Sequence, residues 1–176
     1  MLKNKKINKG FSLLEVLVSI LIVSIGLLST SYMLIKGASN AKTSSLRATA
    51  ATQASSIASA MYANKIFWGQ RNQDISFKSN KNDIESISSN IISSKSACGN
   101  CTPSELAGFD LNNWITGLST VLPNAKSEIT CPSVATNKTR SCTIKITWSE
   151  VFFGGSDTNS SSATAGDRDY FLHIEL

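Results

Sequence analysis

Three hydrophobic patterns follow one another along the chain. From Phe11 to Ile35 nearly every position is apolar, interrupted by hydroxyl residues, Gly26 and the single carboxylate of Glu15. About 20 consecutive apolar residues suffice for a helix to cross the hydrocarbon core of a bilayer, so this run predicts a transmembrane helix over about 11–35. Its serines are tolerable there, because a helical Ser can bond back to a carbonyl one turn earlier. From Ala38 to Ala63 the chain is rich in Ala, Ser and Thr and has no Pro, which keeps it compatible with helix. Leu46, Ala50, Ala54, Ile57, Ala58 and Met61 recur at three- and four-residue spacing and mark one apolar face. One helix over 11–64 is predicted, with its second half packed on a globular domain. Gly26 and Gly37 inside it fit either close helix packing or bending.

The third pattern covers residues 65–176. Lys65 to Lys95 is polar and of low complexity. Within it, Ile84, Ile87, Ile91 and Ile92 predict a short helix over Asp83 to Ile92. Thr102-Pro103-Ser104-Glu105 is a helix start: Thr102 caps, Pro103 suits the first turn, and Glu105 completes a capping box. That helix should run to about Leu122, with Leu111, Ile115, Leu118 and Leu122 on one face and Pro123-Asn124 ending it. Strands follow. Ile129 and Cys131 share a parity. Cys142, Ile144, Ile146 and Trp148 alternate with Thr143, Lys145 and Thr147, and Tyr170, Leu172, Ile174 and Leu176 repeat the pattern. Gly154 to Gly166 reads as a flexible surface loop. The fold class is therefore α+β: a long N-terminal helix, membrane-spanning in its first half, packed on a C-terminal antiparallel sheet domain.

Charge sharpens the picture at one end. The net charge of +5 invites a nucleic-acid reading, yet Lys3, Lys5, Lys6 and Lys9 crowd the first ten residues. The remaining 13 basic residues nearly balance the 12 acidic ones. No dense basic patch interleaved with aromatics remains, so nucleic acid is not expected as a partner. Lys residues flanking a membrane segment instead hold that flank in the cytoplasm. An ordinary secretory signal would end its apolar run in an Ala-x-Ala-like site; here the basic leader ends in Gly10, ahead of the apolar run. A carboxylate well inside such a span costs about 2.5–3.5 kcal/mol on insertion scales, which makes Glu15 a functional candidate.

Cys98, Cys101, Cys131 and Cys142 all lie beyond the membrane segment, as expected of disulfides in an oxidising compartment. Cys98-x-x-Cys101 also has zinc-ligand spacing, but the second pair is much wider. Cys131 and Cys142 share inward parity on strands joined by a polar loop, and Cys98 and Cys101 are close in sequence. Those two pairings are the expected ones, with the crossed connectivities open.

Catalytic chemistry finds little support. His173 is the only imidazole and falls on the polar parity of its strand. Gly154-Gly155 opens no phosphate-binding helix, no thioredoxin-like pattern surrounds Cys98 and Cys101, and Asp167 and Asp169 flank Arg168 as a solvated charge cluster. No enzyme activity, cofactor or metal is expected.

Lys9-Gly-Phe-Ser-Leu-Leu-Glu-Val-Leu17 closely resembles the leader of type IV prepilins and type II secretion pseudopilins. The resemblance implies cleavage by a prepilin peptidase between Gly10 and Phe11, leaving residues 1–10 as a removed leader, and N-methylation of Phe11. It also implies that Glu15 pairs with the terminal amine of a neighbouring pilin subunit during assembly, two charges that are costly in lipid neutralising each other. Cys101-Thr-Pro-Ser-Glu-Leu-Ala-Gly-Phe-Asp110, Trp114, Leu122-Pro123 and Thr143-Ile-Lys-Ile-Thr-Trp-Ser-Glu150 are similar to minor pilins called type IV pilus modification proteins, the PilV type. The implied function is a minor pilin acting in assembly, priming or at the fibre tip. A type II secretion pseudopilin and a tip adhesin are the alternatives. The implied location is single-pass in inner-membrane lipid with residues 65–176 in the periplasm, then in an extracellular pilus.

Overall fold

In the computed structural model, residues 12–88, 90–91, 97–135, 138–152 and 164–176 are described, the side chains of 151, 152, 164 and 165 excepted. The element order is α1 (Leu13–Ala63), α2 (Lys65–Trp68), β1 (Ile75–Asn80), β2 (Asp83–Ile87), α3 (Pro103–Val121), β3 (Lys126–Cys131), β4 (Ser141–Phe152) and β5 (Thr164–Glu175). The class is α+β, a long N-terminal apolar helix and an antiparallel sheet of five strands in the order β2-β1-β3-β4-β5. The chain divides at Ala41/Lys42 into two compact units, so α1 contributes to both.

Within the unit from Lys42, one core joins α1, α3 and one face of the sheet. The buried positions of α1 are Ala50, Ala54, Ile57, Ala58 and Met61, five of the six residues whose spacing marked the apolar face; Leu46 packs partly buried against them. From α3 come Ala107, Leu111, Trp114, Ile115 and Leu118, and from β1, β3 and β4 the inward residues Phe77, Ile129, Ile144, Ile146 and Trp148. Helix α3 starts as its sequence requires. The Thr102 hydroxyl accepts from the Glu105 backbone N–H at 3.4 Å, and the Glu105 carboxylate accepts from the Thr102 N–H at 2.8 Å. Its end is followed by Asn124 in the left-handed region, which Asn tolerates better than most residues.

Residues 65–88 depart from expectation. Ile75, Phe77 and Ser79 are buried and Ser76 and Lys78 exposed, so Ile75–Asn80 is a half-buried strand inside a stretch of polar, low-complexity sequence. The predicted helix from Asp83 is strand β2, paired antiparallel with β1. Its three-residue Ile84–Ile87 spacing is the product of a bulge. Phe77 faces Ile87 and Lys78 faces Ser86, then the register slips and Ser79 faces Ile84, leaving Glu85 as the inserted residue. One extra residue turns the strand period of two into a spacing of three on the same face. Ile91 is buried in the core, and Ile92 lies outside the described residues. Of the loop predicted over Gly154–Gly166, positions 154–163 lie outside the described residues, and the last three belong to β5, which begins at Thr164.

Two core-facing polar groups hold the sheet locally. Ser79 and Ser127, opposite each other on β1 and β3, share a buried hydrogen bond of 2.6 Å. The buried Arg140 guanidinium donates through Nη2 to the carbonyls of Gln73, at 2.9 Å, and Cys131. It ties the approach to β1 to the end of β3.

Candidate functional site

The first half of α1 starts where Ser12 turns its carbonyl into the helix, accepting from the N–H groups of Glu15, at 3.0 Å, and Val16, at 3.3 Å. Glu15 therefore stands in the first turn, where the positive end of the helix dipole favours a carboxylate. Around and beyond it the surface is apolar on every side. Leu13, Leu14, Leu17, Ile20, Leu21, Ile25 and Leu28 are all more than half exposed. A helix that is apolar all round must be covered by lipid or by other helices. Leu13 to Ile35 measures about 34 Å at 1.5 Å per residue, enough for a core of about 30 Å. Its hydroxyls do not break the apolar surface. Ser19 donates to the carbonyl of Glu15, Ser24 and Thr30 to those of Leu21 and Leu27, and Ser29 and Ser31 to those of Ile25 and Leu27. Past the apolar run, the Lys36 ammonium lies 5.9 Å from the Tyr32 ring centre, a pairing suited to the membrane–water boundary. At Gly26 and Gly37 an added Cβ would meet nothing within 4 Å, so no packing inside the chain demands either glycine.

Residues 5–31 match the protein family described as Prokaryotic N-terminal methylation motif. The N-terminus of this chain is type IV prepilin-like. Comparisons with curated proteins and with solved structures found no match. The matched stretch takes in Gly10 and Phe11, which lie outside the described residues, and Glu15. The matched motif is that of type IV prepilin-like N-termini, and the helix it leads into is long and apolar enough to cross a membrane.

The other residues singled out from sequence are scattered over the unit from Lys42. Cys98 is bonded to Cys101 just ahead of α3, and Cys131 to Cys142 across β3 and β4 with Cα atoms 4.2 Å apart. The register pairs Thr130 with Thr143, which leaves the two cysteines facing each other one step further on. His173 is exposed, its Nδ1 3.0 Å from the Thr143 hydroxyl. Asp167, Arg168 and Asp169 are all exposed, as expected, but they divide between the two faces of β5. The two acids share the outer face of the sheet, Asp167 with Ser149 at 2.9 Å and Asp169 with Thr147 at 2.6 Å. Hydrogen bonding from Thr147, aided by Lys145, holds the Asp169 carboxyl below its ordinary pKa. Arg168 falls between them in the strand alternation, its Nε 3.6 Å from the buried Glu150 carboxylate. Glu150 in turn accepts from Trp148 Nε1 at 2.9 Å. Among the described residues, no group of three or more His, Cys, Asp and Glu side chains is placed to hold a metal ion.

Sequence reasoning passed over the buried polar pair Trp148–Glu150 and the buried Arg140. The signal for Glu150 was available: it continues the inward parity of Ile144, Ile146 and Trp148. Arg140 precedes the strand and carried no such signal.

Proposed function

We propose that this chain is a minor pilin of a type IV pilus, acting in pilus assembly, in priming or at the fibre tip. The observation that carries the reading is the methylation motif over residues 5–31 running directly into an exposed, all-round apolar helix with one carboxylate at its start. A prepilin peptidase removes residues 1–10 between Gly10 and Phe11, and Phe11 is methylated. The mature chain then crosses the inner membrane once, with residues 65–176 in the periplasm, where the two disulfides suit the oxidising compartment. The apolar helix leaves lipid for a bundle of other pilin helices, and Glu15 there meets the terminal amine of a neighbour. The chain is read as structural, its chemistry confined to charge pairing and apolar burial.

Intact-mass and N-terminal peptide analysis of the chain from membranes, together with its recovery in sheared surface fibres, tests the proposal. Expected are a methylated Phe11 terminus and presence in the fibres. A terminus at any other residue sinks the processing scheme. A correct terminus with export of secreted enzymes, and not fibre yield, lost on deletion would transfer the chain to a type II secretion pseudopilus.

A further inference from the structure

Within the unit from Lys42, a groove runs between the second half of α1 and α3. It holds about 340 Å³, with Gln53, Ser56 and Ala60 on one wall and Asp110, Asn113 and Gly117 on the other. The walls are fixed to each other, because Trp114 Nε1 donates to the Gln53 carbonyl at 3.0 Å. Two of its residues are not accounted for by contacts among the described residues. Gly117 sits in the interior of α3, where Gly costs about 1 kcal/mol relative to Ala, yet a Cβ there would meet nothing within 4 Å. Its effect is a notch that another backbone can approach.

Asp110 is the second. Burial pushes its carboxyl above the ordinary pKa, and among the described residues nothing hydrogen-bonds or ion-pairs with it. No charge lies on α1 from Ala48 to Asn64, and the other charge on α3, Glu105, closes the capping box. The complement lies elsewhere on the same chain. Lys42 and Arg47 are exposed on α1, no acid occurs between Glu15 and Asp74, and neither base has an ion pair among the described residues.

We propose that the groove between α1 and α3 receives the Lys42–Arg47 segment of a second copy of this chain, which sets a basic side chain against Asp110 and brings its helix into the notch at Gly117. Groove and basic segment are different patches of one molecule, so the contact is heterologous. Such contacts, unless the rotation closes, propagate as an open helical array. The proposal goes beyond the minor-pilin reading, which names no contact of this face; groove and basic segment lie about 18 Å apart along α1 at 1.5 Å per residue, so the second copy is displaced by that much along the helix.

The test uses the full chain in bacterial membranes with the photo-reactive residue benzoylphenylalanine placed at Asn113, which borders the groove. Irradiation should give an adduct of twice the chain mass, with the link mapping to residues 42–47 of the second copy. Asp110→Lys should lower the yield at least fivefold, and adding Arg47→Glu should restore it. Gly117→Leu should lower it as strongly while leaving the urea midpoint of tryptophan fluorescence unchanged or higher, because the side chain has free space in the single chain. No homodimer adduct, an adduct to a different protein, or a folded Gly117→Leu chain with wild-type yield would each overturn the proposal. The N-terminal mass of the same sample reports leader cleavage separately, so failure of the groove is distinguishable from failure of the pilin reading.

Discussion

Replacing Glu15 with Leu separates insertion from assembly. Glu15 lies two residues inside the start of the apolar helix, about 3 Å from Leu13 along the axis at 1.5 Å per residue, and about 30 Å from Ile35. It is thus near one interface, and its insertion cost falls below the roughly 2.5–3.5 kcal/mol of a carboxylate at the bilayer centre. The first-turn position offsets a further 0.3–1 kcal/mol or so through the helix dipole. Membrane insertion should therefore improve only slightly in Glu15→Leu. Folding should not change, because the buried residues of α1 begin at Ala50. Assembly should suffer far more. On the proposed pairing, the neighbour's terminal amine would be left without a counter-charge, and orphaning one partner of a buried pair costs about 3–5 kcal/mol. That corresponds to a fall in incorporation of roughly a hundredfold or more. The assay compares Glu15→Leu with wild type at matched expression, by immunoblot of membranes and of sheared fibres, with Glu15→Asp as a charge-retaining control. Processed protein in membranes and near absence from fibres is the expected result. Wild-type abundance in fibres would refute the charge-pairing argument.

Two further outcomes follow from the unit beyond Lys42. Removing the Cys131–Cys142 bond, whose cysteines are 11 positions apart, should cost about 3 kcal/mol, and removing Cys98–Cys101, only 3 apart, about 2 kcal/mol on loop-closure grounds; urea unfolding in detergent, read by the buried Trp68, Trp114 and Trp148, would contradict this if the shorter loop cost more. Since the folded-state pKa of Asp169 is depressed, its contribution to stability is present above the ordinary carboxylate range and is lost as pH falls through the folded value. Asp169→Asn should therefore lower stability at neutral pH and flatten its decline on the acid side, and an unchanged acid profile would show that Thr147 and Lys145 do not hold it.

The features legible in the sequence are those whose causes lie within one or two turns of chain. The apolar run is visible because a span of lipid imposes a length and little else. The start of α3 is visible because a capping box closes over Thr102 to Glu105. The parity of Cys142 to Trp148 is visible because alternate side chains of a strand face opposite ways. The prepilin-like terminus is legible for a related reason: leader, glycine and carboxylate lie within one short stretch, matched over residues 5–31. What the tertiary structure alone decided depends on partners distant in sequence. Whether Ile84 and Ile87 belong to a helix or a strand turns on β1 and on the bulge that inserts Glu85, and β1 itself is fixed by pairing with β3, some fifty residues away. The division of Arg168 from Asp167 and Asp169 required β4 as a neighbour. The groove holding Asp110 and Gly117 exists only because α3 packs beside α1. A local pattern specifies which face of an element is apolar, but the energy of burying that face depends on what covers it, and one residue of slippage in register reassigns every side chain beyond it.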